Sequence, residues 1–252
     1  MYNEFTWCET ATFDVPEIKY FYESVFGWNM DGENNDYCIC HSDHKPAAGI
    51  LEMPRKFQER AMPAFWLSFI KVESVKDTVA QAIKLGAKIE IRPTELEGWG
   101  EYALIRDLAG AGFMIYQGEE LQTRSSLESH GCMVWNELHV SSVHTVKKFY
   151  ERLFGWKIEL KSQRDATYEV LSPKGETIAS MIELDEDQAE GKQYWMVYFG
   201  VKDVESTISA VQKNQGLVLF DLNENGERMT MVQDPQGAVF CLQQINGLKS
   251  AS

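Results

Sequence analysis

The sequence predicts an α+β protein of two tandem domains, each built from two βαβββ units that form a curved eight-stranded sheet around a cup. Three pairs of similar segments support this prediction: FYESVFGW at 21–28 with FYERLFGW at 149–156, FWLSFIKVESV at 65–75 with YWMVYFGVKDV at 194–204, and RDLAGAGFMIYQ at 106–117 with QDPQGAVFCLQQ at 233–244. The pairs recur in the same order at an offset near 128 residues. Such a repeat indicates duplication of a domain-sized unit.

The two copies set the predicted domain limits. A polar segment, GEELQTRSSLESHG at 118–131, lies between them and shows no hydrophobic period, which is typical of a linker. We therefore predict a first domain at 1–119, a linker at 120–131 and a second domain at 132–252.

The first βαβββ unit can be assigned element by element. Residues 5–13 are rich in β-branched and aromatic types and predict a strand. Asp14, with Glu17 three residues later, resembles a capping box, and Gly27 suits a helix C-terminus. Between them, apolar residues at helical spacing predict one buried helix face; they are Ile18, Phe21, Tyr22, Val25 and Phe26.

The same order of elements then recurs along the chain. Three short strands at 28–32, 36–41 and 47–53 complete the first unit. The second unit is a strand at 64–72, a helix near 75–85 and strands near 87–92, 100–106 and 111–117. In the second domain we predict strand 133–140, helix 143–154, strands 156–161, 166–171 and 177–184, strand 194–201, helix 204–214, and strands 217–220, 227–233 and 238–244.

Composition narrows the classes of function. A net charge of −14 disfavours binding to phosphate backbones. No apolar run reaches the roughly 18 to 20 residues of a membrane helix, and the N-terminal residues lack the pattern of a signal peptide. Five scattered cysteines do not resemble a secreted disulfide framework. We expect a cytoplasmic protein with reduced thiols, a small-molecule ligand and no nucleic-acid or membrane partner. The sequence leaves open whether the protein forms a homodimer.

The motifs resemble those of a known family. FYxxxFGW after a capped helix start and DPxGAxFxLxQ at the last strand are similar to the glyoxalase/bleomycin resistance/dioxygenase (vicinal oxygen chelate) superfamily, over nearly the whole chain. The resemblance implies the curved sheets and a ligand cup. It does not imply one reaction, because the superfamily includes lyases, isomerases, epimerases, ring-cleaving dioxygenases and metal-free sequestering proteins.

The resemblance also implies positions for a divalent metal, on inward-facing residues of the first, fourth, fifth and eighth strands of each domain. Carried over one by one, they fall at Trp7, Glu52, Leu67 and Met114 in the first domain and at Trp135, Glu183, Met196 and Cys241 in the second. Each set keeps a single ordinary hard-metal ligand, whereas such ions need three or four O or N donors. We therefore expect no cofactor, with a divalent metal as the less favoured alternative.

The segment WNELHV at 135–140 is the sharpest catalytic candidate. Trp135, Glu137 and His139 alternate onto one face of a strand, which the resemblance turns towards the cup. Glu137 and His139 could act as a general acid/base pair, and together with Glu183 they could hold a displaced metal. The competing interpretation is a polar lining. In the first copy Glu9 matches Glu137, but Ala11 replaces His139, so we expect any activity in the second domain.

Two other sets of residues complete the candidates. The cluster CICHSDH at 38–44 has Cys38, Cys40, His41 and His44 but no partner pair elsewhere, so a buried strand is favoured over a zinc site. Large rings at Trp7 and Trp135 favour an apolar or aromatic ligand, or else fill the cup. The predicted ligand-binding set is Trp7, Glu9, Glu52, Met114, Tyr116, Trp135, Glu183, Met196, Tyr198 and Cys241.

These observations lead to one favoured function and two alternatives. The favoured one is a small-molecule-binding protein with a degenerate metal site that binds an apolar or aromatic ligand without metal. The first alternative is a lyase, isomerase or dioxygenase active in the second domain. The second is a scaffold whose duplicated domains only pair with each other.

Overall fold

A computed structural model describes residues 2–31, 37–59, 62–96, 98–119, 121, 130–185, 193–224 and 227–245. Most of the predicted linker, 120 and 122–129, lies outside these ranges. The first half contains β1 (Glu4–Thr12), α1 (Val15–Phe26), β2 (Asn29–Asp31), β3 (Tyr37–Ser42), β4 (Lys45–Glu52), α2 (Arg55–Gln58), β5 (Phe65–Lys71), α3 (Val75–Lys84), β6 (Lys88–Leu96), β7 (Gly100–Arg106) and β8 (Gly112–Gln117).

The second half repeats this order. It contains β9 (Met133–Val140), α4 (Val143–Phe154), β10 (Lys157–Ser162), β11 (Thr167–Leu171), β12 (Thr177–Glu183), β13 (Tyr194–Val201), α5 (Val204–Lys213), β14 (Leu217–Glu224), β15 (Glu227–Gln233) and β16 (Val239–Gln244). The short helix α2 was not predicted. In the described part of the chain, no helix combines the length and the apolar character needed to cross a membrane.

The strands form two mixed sheets of eight, which confirms the predicted fold class. Their orders are β2-β3-β4-β1-β5-β8-β7-β6 and β10-β11-β12-β9-β13-β16-β15-β14. Within each βαβββ unit the first strand pairs in parallel with the last, as β1 does with β4 and β9 with β12. The intervening helix makes this parallel return possible.

The predicted helix ends of α1 are confirmed. The Oδ1 atom of Asp14 accepts a hydrogen bond from the backbone N–H of Glu17 at 3.0 Å, as an N-cap carboxylate does. Gly27 has a φ of 67°, and Gly155 at the end of α4 has a φ of 69°. Glycine suits both positions because this left-handed conformation costs it no Cβ clash.

Packing divides the chain into two compact bodies, and each draws on both copies of the repeat. Body A consists of 1–6, 68–121 and 135–196, and body B of 7–67, 122–134 and 197–252. Body A therefore contains the second βαβββ unit of the first copy and the first unit of the second copy. Body B contains the other two units.

The repeated motifs meet in the core of each body. In body B, Trp66 Nε1 donates to the Tyr22 hydroxyl at 3.0 Å, and this hydroxyl donates to Asp234 Oδ2 at 3.0 Å. Body A has the matching chain, in which Trp195 Nε1 donates to the Tyr150 hydroxyl and Tyr150 donates to Asp107 Oδ2, both at 2.9 Å. Each of the three repeated segments thus supplies one member of a buried Trp–Tyr–Asp chain, so the motifs that reveal the duplication build the core.

Candidate functional site

The strands β9 and β12 position the predicted acid/base pair in body A. Ser180 pairs with Glu137, Ile182 with His139 and Glu183 with Val140. Because side chains alternate along a strand, Glu137, His139 and Ser180 share one face. The helix α4 covers the other face, where the Glu183 carboxylate meets its first turn. We call the sheet face that points away from the helices the helix-free face; in this part of body A it carries Glu137.

A continuous hydrogen-bonded chain runs along this face. Trp135 Nε1 donates to Ser180 Oγ at 2.9 Å, and Ser180 Oγ donates to Glu137 Oε2 at 2.7 Å. The second carboxylate oxygen, Glu137 Oε1, lies 3.0 Å from His139 Nε2. The side chains of Glu137 and His139 are 15% and 8% exposed, so the pair is largely shielded from water.

The surroundings of His139 are aromatic and apolar. The ring of Tyr194 lies 5.1 Å from the imidazole, centroid to centroid. Met196, two residues along β13, alternates onto the same face and is buried. A carboxylate and an imidazole in contact have the groups needed to take a proton from a bound molecule and to return it.

The first copy carries a related arrangement in body B. Trp7 Nε1 donates to the Tyr37 hydroxyl at 3.0 Å, and Tyr37 is hydrogen-bonded to Glu9. Burial raises the pKa of Glu9 to about 8, although the Tyr37 hydrogen bond opposes this shift. Burial therefore favours the neutral form of the Glu9 carboxyl. The hydroxyl comes from β3, whereas in the second copy it comes from the strand next to the glutamate.

The fourth-strand carboxylates are not on the helix-free face, and this part of the prediction was wrong. Glu52 pairs with Thr12 while Glu9 pairs with Gly49, so Glu52 points to the opposite face from Glu9. Glu183 likewise points away from Glu137, and its Oε1 accepts from the Val143 N–H of α4 at 2.7 Å. The helix-free positions are one residue earlier, at Leu51 and Ile182. Glu183 therefore caps a helix and cannot join Glu137 and His139.

The eighth-strand residues do lie on helix-free faces. Phe113 packs on Phe149 and Tyr150 of α4, so its neighbour Met114 points the other way. Tyr116 shares the face of Met114, is buried, and donates its hydroxyl proton to the Trp99 carbonyl at 2.5 Å. The roles of Met114 and Tyr116 in ligand binding stay predictions.

An apolar surface lies on the helix-free face of β13–β16 in body B, beside the exposed Gln243, which pairs with Met229 on the same face. Cys241 pairs with Tyr198 and with Met231, and the outer strand adds Phe220 opposite Met231 and Leu222 opposite Met229. Phe220 is 47% exposed and Leu222 36%. We call these six residues, Tyr198, Phe220, Leu222, Met229, Met231 and Cys241, the Met–Phe surface.

Alternation places this surface opposite α5. Thr230 and Val232, which lie between the two methionines and beyond them, are buried on the other face. On that side Thr230 Oγ1 donates to Asp221, and Arg228 bridges Asp221 to Glu205 of α5. The Met–Phe surface therefore points away from the helix and remains accessible in its outer half.

The donors do not fit the metal that the fold family implies. The eight carried-over positions offer two indoles, three apolar aliphatic or thioether side chains, one thiol and two glutamates, and both glutamates face the helices. Within the described ranges, no group of three or more His, Cys, Asp or Glu side chains could hold a metal ion. The cluster at 38–44 does not converge either, because Cys38 and Cys40 are buried in β3 whereas His44 lies in the turn that follows it.

Sequence reasoning missed several residues of these sites. Ser180 and Tyr37 complete the two hydrogen-bonded chains, and only the strand register shows that they meet Glu137 and Glu9. The pattern MTM at 229–231 within a predicted strand, opposite the apolar run LVLF at 217–220, was the available signal for the Met–Phe surface.

Comparisons with known proteins agree with this architecture. Residues 133–242 match the family model described as Glyoxalase/Bleomycin resistance protein/Dioxygenase superfamily. CFP32 of Mycobacterium tuberculosis, named as a candidate glyoxylase, is 26% identical over 93% of this chain and 92% of its own length. The anthracycline biosynthesis protein DnrV of Streptomyces peucetius is 24% identical over 95% of this chain and 92% of its own length.

Solved structures show the same fold at low sequence identity. The Mn(II)-bound glyoxalase from Novosphingobium aromaticivorans aligns with a TM-score of 0.65 at 12% identity, covering 97% of this chain and 83% of its own. The dioxygenase LapB from Pseudomonas sp. KL28 aligns with a TM-score of 0.63 at 15% identity, covering 97% and 92%. The family match shows that residues 133–242 carry a domain of the glyoxalase/bleomycin resistance protein/dioxygenase superfamily, and the solved structures show the corresponding fold for nearly the whole chain.

Proposed function

We propose that this protein binds an apolar or aromatic small molecule and that the Met–Phe surface contacts the ligand. The observation that carries the proposal is the exposed pair Phe220 and Leu222, which continues the apolar face of Tyr198, Met231 and Cys241 onto the outer strand. Contiguous exposed apolar side chains on a soluble protein mark interaction sites more often than chance allows.

The chemistry of the surface favours a flat, apolar ligand. Met229 and Met231 are flexible and polarisable, so they adapt to ring systems and contact ring edges favourably. Tyr198 adds an aromatic ring, and its hydroxyl lies 3.1 Å from the Met229 sulfur. The six side chains carry no formal charge at neutral pH. A charged ligand group would find no partner among them, whereas a polycyclic ring would bury apolar area.

The proposal gives no structural role to a divalent metal, since the donors at the family's positions do not fit one. The name of one relative is consistent with the ligand class, because DnrV is described as an anthracycline biosynthesis protein. Anthracyclines are polycyclic aromatic molecules, and they belong in a ligand panel beside simpler fused rings.

A fluorescence titration with aminoanthracene, a neutral three-ring fluorophore, tests the proposal. Phe220→Glu should weaken binding by about tenfold or more, because it places a charge where the ring would lie. Leu160→Glu is the matched control: Leu160 is 53% exposed and also lies on an outer strand, β10. If both variants bind the fluorophore with the same affinity as the parent protein, the Met–Phe surface does not contact the ligand.

A second candidate function is supported by a separate observation, the contact of 3.0 Å between Glu137 and His139. In this alternative the second domain is an enzyme of the lyase, isomerase or dioxygenase type. The Glu137 carboxylate takes a proton from the substrate, and His139 positions the carboxylate through their contact.

Proton exchange provides a test that needs no known product. In D₂O, the protein should exchange the α-proton of an aromatic α-hydroxyketone, as followed by NMR. Glu137→Gln should slow the exchange by about a hundredfold, the usual contribution of a general base, whereas Glu9→Gln in the first copy should leave it unchanged. If Glu137→Gln exchanges as fast as the parent protein, the pair is a polar lining.

A further inference from the structure

Both copies contain the same three-part chain, in which an indole N–H donates to a hydroxyl and the hydroxyl is hydrogen-bonded to a glutamate. In the second copy the members are Trp135, Ser180 and Glu137. In the first copy Trp7 and Glu9 stand at the matching positions, each 128 residues earlier. The two copies share a hydroxyl hydrogen-bonded between an indole and a glutamate, but different residues supply that hydroxyl.

The hydroxyl has a different origin in each copy. Ser180 is the strand partner of Glu137, so its hydroxyl comes from the residue directly beside the carboxylate. The strand partner of Glu9 is Gly49, which has no side chain. Tyr37 supplies the hydroxyl instead, from the next strand, where it pairs with Leu51.

The phenol depends on the missing side chain. A Cβ atom at Gly49 would lie 2.3 Å from the Tyr37 hydroxyl oxygen, 2.8 Å from Tyr37 Cζ and 3.2 Å from Glu9 Cβ. Such contacts are impossible without displacing the ring. The missing side chain of Gly49 therefore leaves room for the hydroxyl end of the phenol, with Trp7 Nε1 as donor and Glu9 as polar partner.

We propose that the first copy contains a binding site for a neutral phenol, formed by Trp7, Glu9 and Gly49, and that Tyr37 is its built-in occupant. The site has what a phenol group requires. The Trp7 indole N–H donates to the phenol oxygen, the Glu9 carboxyl hydrogen-bonds to the hydroxyl, and Gly49 leaves room for the hydroxyl end of the ring. Burial keeps Glu9 largely neutral and holds the pKa of Tyr37 well above its ordinary value. Both conditions favour a neutral phenol over a phenolate or a carboxylate.

This inference does not depend on the proposed function, since it concerns the first copy whereas the Met–Phe surface belongs to the second. It implies that the duplicated copies have diverged. The natural protein keeps the first site closed with its own side chain, so free phenol does not bind there. Removing the half-buried Tyr37 ring should open a site of matching shape and polarity, as engineered cavities in proteins can bind small aromatic molecules.

Calorimetric titration of the full chain with phenol tests this. Tyr37→Ala should bind phenol about tenfold or more tightly than the parent protein, and more tightly than it binds toluene, which lacks the hydroxyl. Adding Glu9→Leu to Tyr37→Ala should abolish the preference for phenol over toluene. Tyr168→Ala, which removes a tyrosine from the opposite face of β11 in the second copy, is the control and should not gain phenol binding.

The outcome is decisive even where the variant is unstable. If Tyr37→Ala does not fold alone, millimolar phenol should restore its cooperative thermal transition and toluene should restore it less, because bound ligand stabilises the folded state. Equal effects of phenol and toluene, or no effect of either, would overturn the proposal. Phenol binding to the Tyr168→Ala control with the same affinity would overturn it as well.

Discussion

The hydroxyl of Tyr22, from the first copy of the repeat, donates a hydrogen bond of 3.0 Å to Asp234, from the second copy. Both groups are buried, and the same hydroxyl accepts the indole N–H of Trp66. The core of body B is therefore held by polar groups that no single copy could satisfy. This gives a structural reason for the likeness of the three repeated segments, whereas the helix-free faces of the two copies differ.

Tyr22→Phe should lower the free energy of unfolding by about 1–3 kcal/mol, because it leaves the Trp66 N–H and an Asp234 oxygen buried without their partner. Chemical denaturation measures the change. Tyr20→Phe, on the same helix and 67% exposed, should leave stability unaltered. A Tyr22→Phe protein as stable as the Tyr20→Phe control would show that the chain contributes nothing.

Glu9 should make stability depend on pH. Because folding raises the pKa of Glu9 from 4.5 to about 8, the folded state keeps a proton that the unfolded chain has released throughout this interval. The contribution of Glu9 is full below pH 4.5 and is lost as the pH rises through 8, at roughly 1.4 kcal/mol per pH unit at most.

The corresponding variant is Glu9→Gln, which cannot titrate. Its unfolding free energy should fall less between pH 5 and 8 than that of the parent protein, as measured by denaturation at each pH. Glu23→Gln, at an exposed position of α1, should reproduce the parent's slope. Parallel pH profiles for parent and Glu9→Gln would mean that the carboxyl is already ionised at pH 5.

Glu183 should behave as a helix cap. Glu183→Ala should cost about 1 kcal/mol of stability, since the Val143 N–H loses its acceptor. Glu183→Gln keeps an acceptor oxygen and should cost less. Glutamine already plays this part elsewhere: Gln117 accepts from the Val75 N–H at 3.2 Å and Gln244 from the Val204 N–H at 3.1 Å. A loss of stability in Glu183→Gln equal to that in Glu183→Ala would contradict the capping role.

Most of the fold was predictable because it depends on local signals that the duplication repeats. The N-cap residue Asp14, the glycine at 27 and the apolar spacing of α1 each mark an element within a few residues. Strand ends were less certain, because bulges such as the one between Val218 and Phe220 shift the register without a clear mark in the sequence.

The candidate sites were only partly predictable, because they depend on which face a residue occupies. Alternation placed Glu137 and His139 together correctly, since both lie on one strand. It could not fix the register between strands, so Glu52 and Glu183 were assigned to the wrong face by a single residue. The Tyr37 hydroxyl lies close to Gly49 on the neighbouring strand. Nothing in the local sequence around either residue indicates this contact.

The measurement that tests the account most directly is the binding of aminoanthracene to chelator-treated protein. We predict saturable binding whose affinity is the same with and without added divalent metal, and which Phe220→Glu weakens by about tenfold while Leu160→Glu does not. Binding that appears only when a divalent metal is restored, or that Phe220→Glu leaves intact, would contradict the central claim that an apolar face of the second copy replaces the metal site as the ligand-binding element.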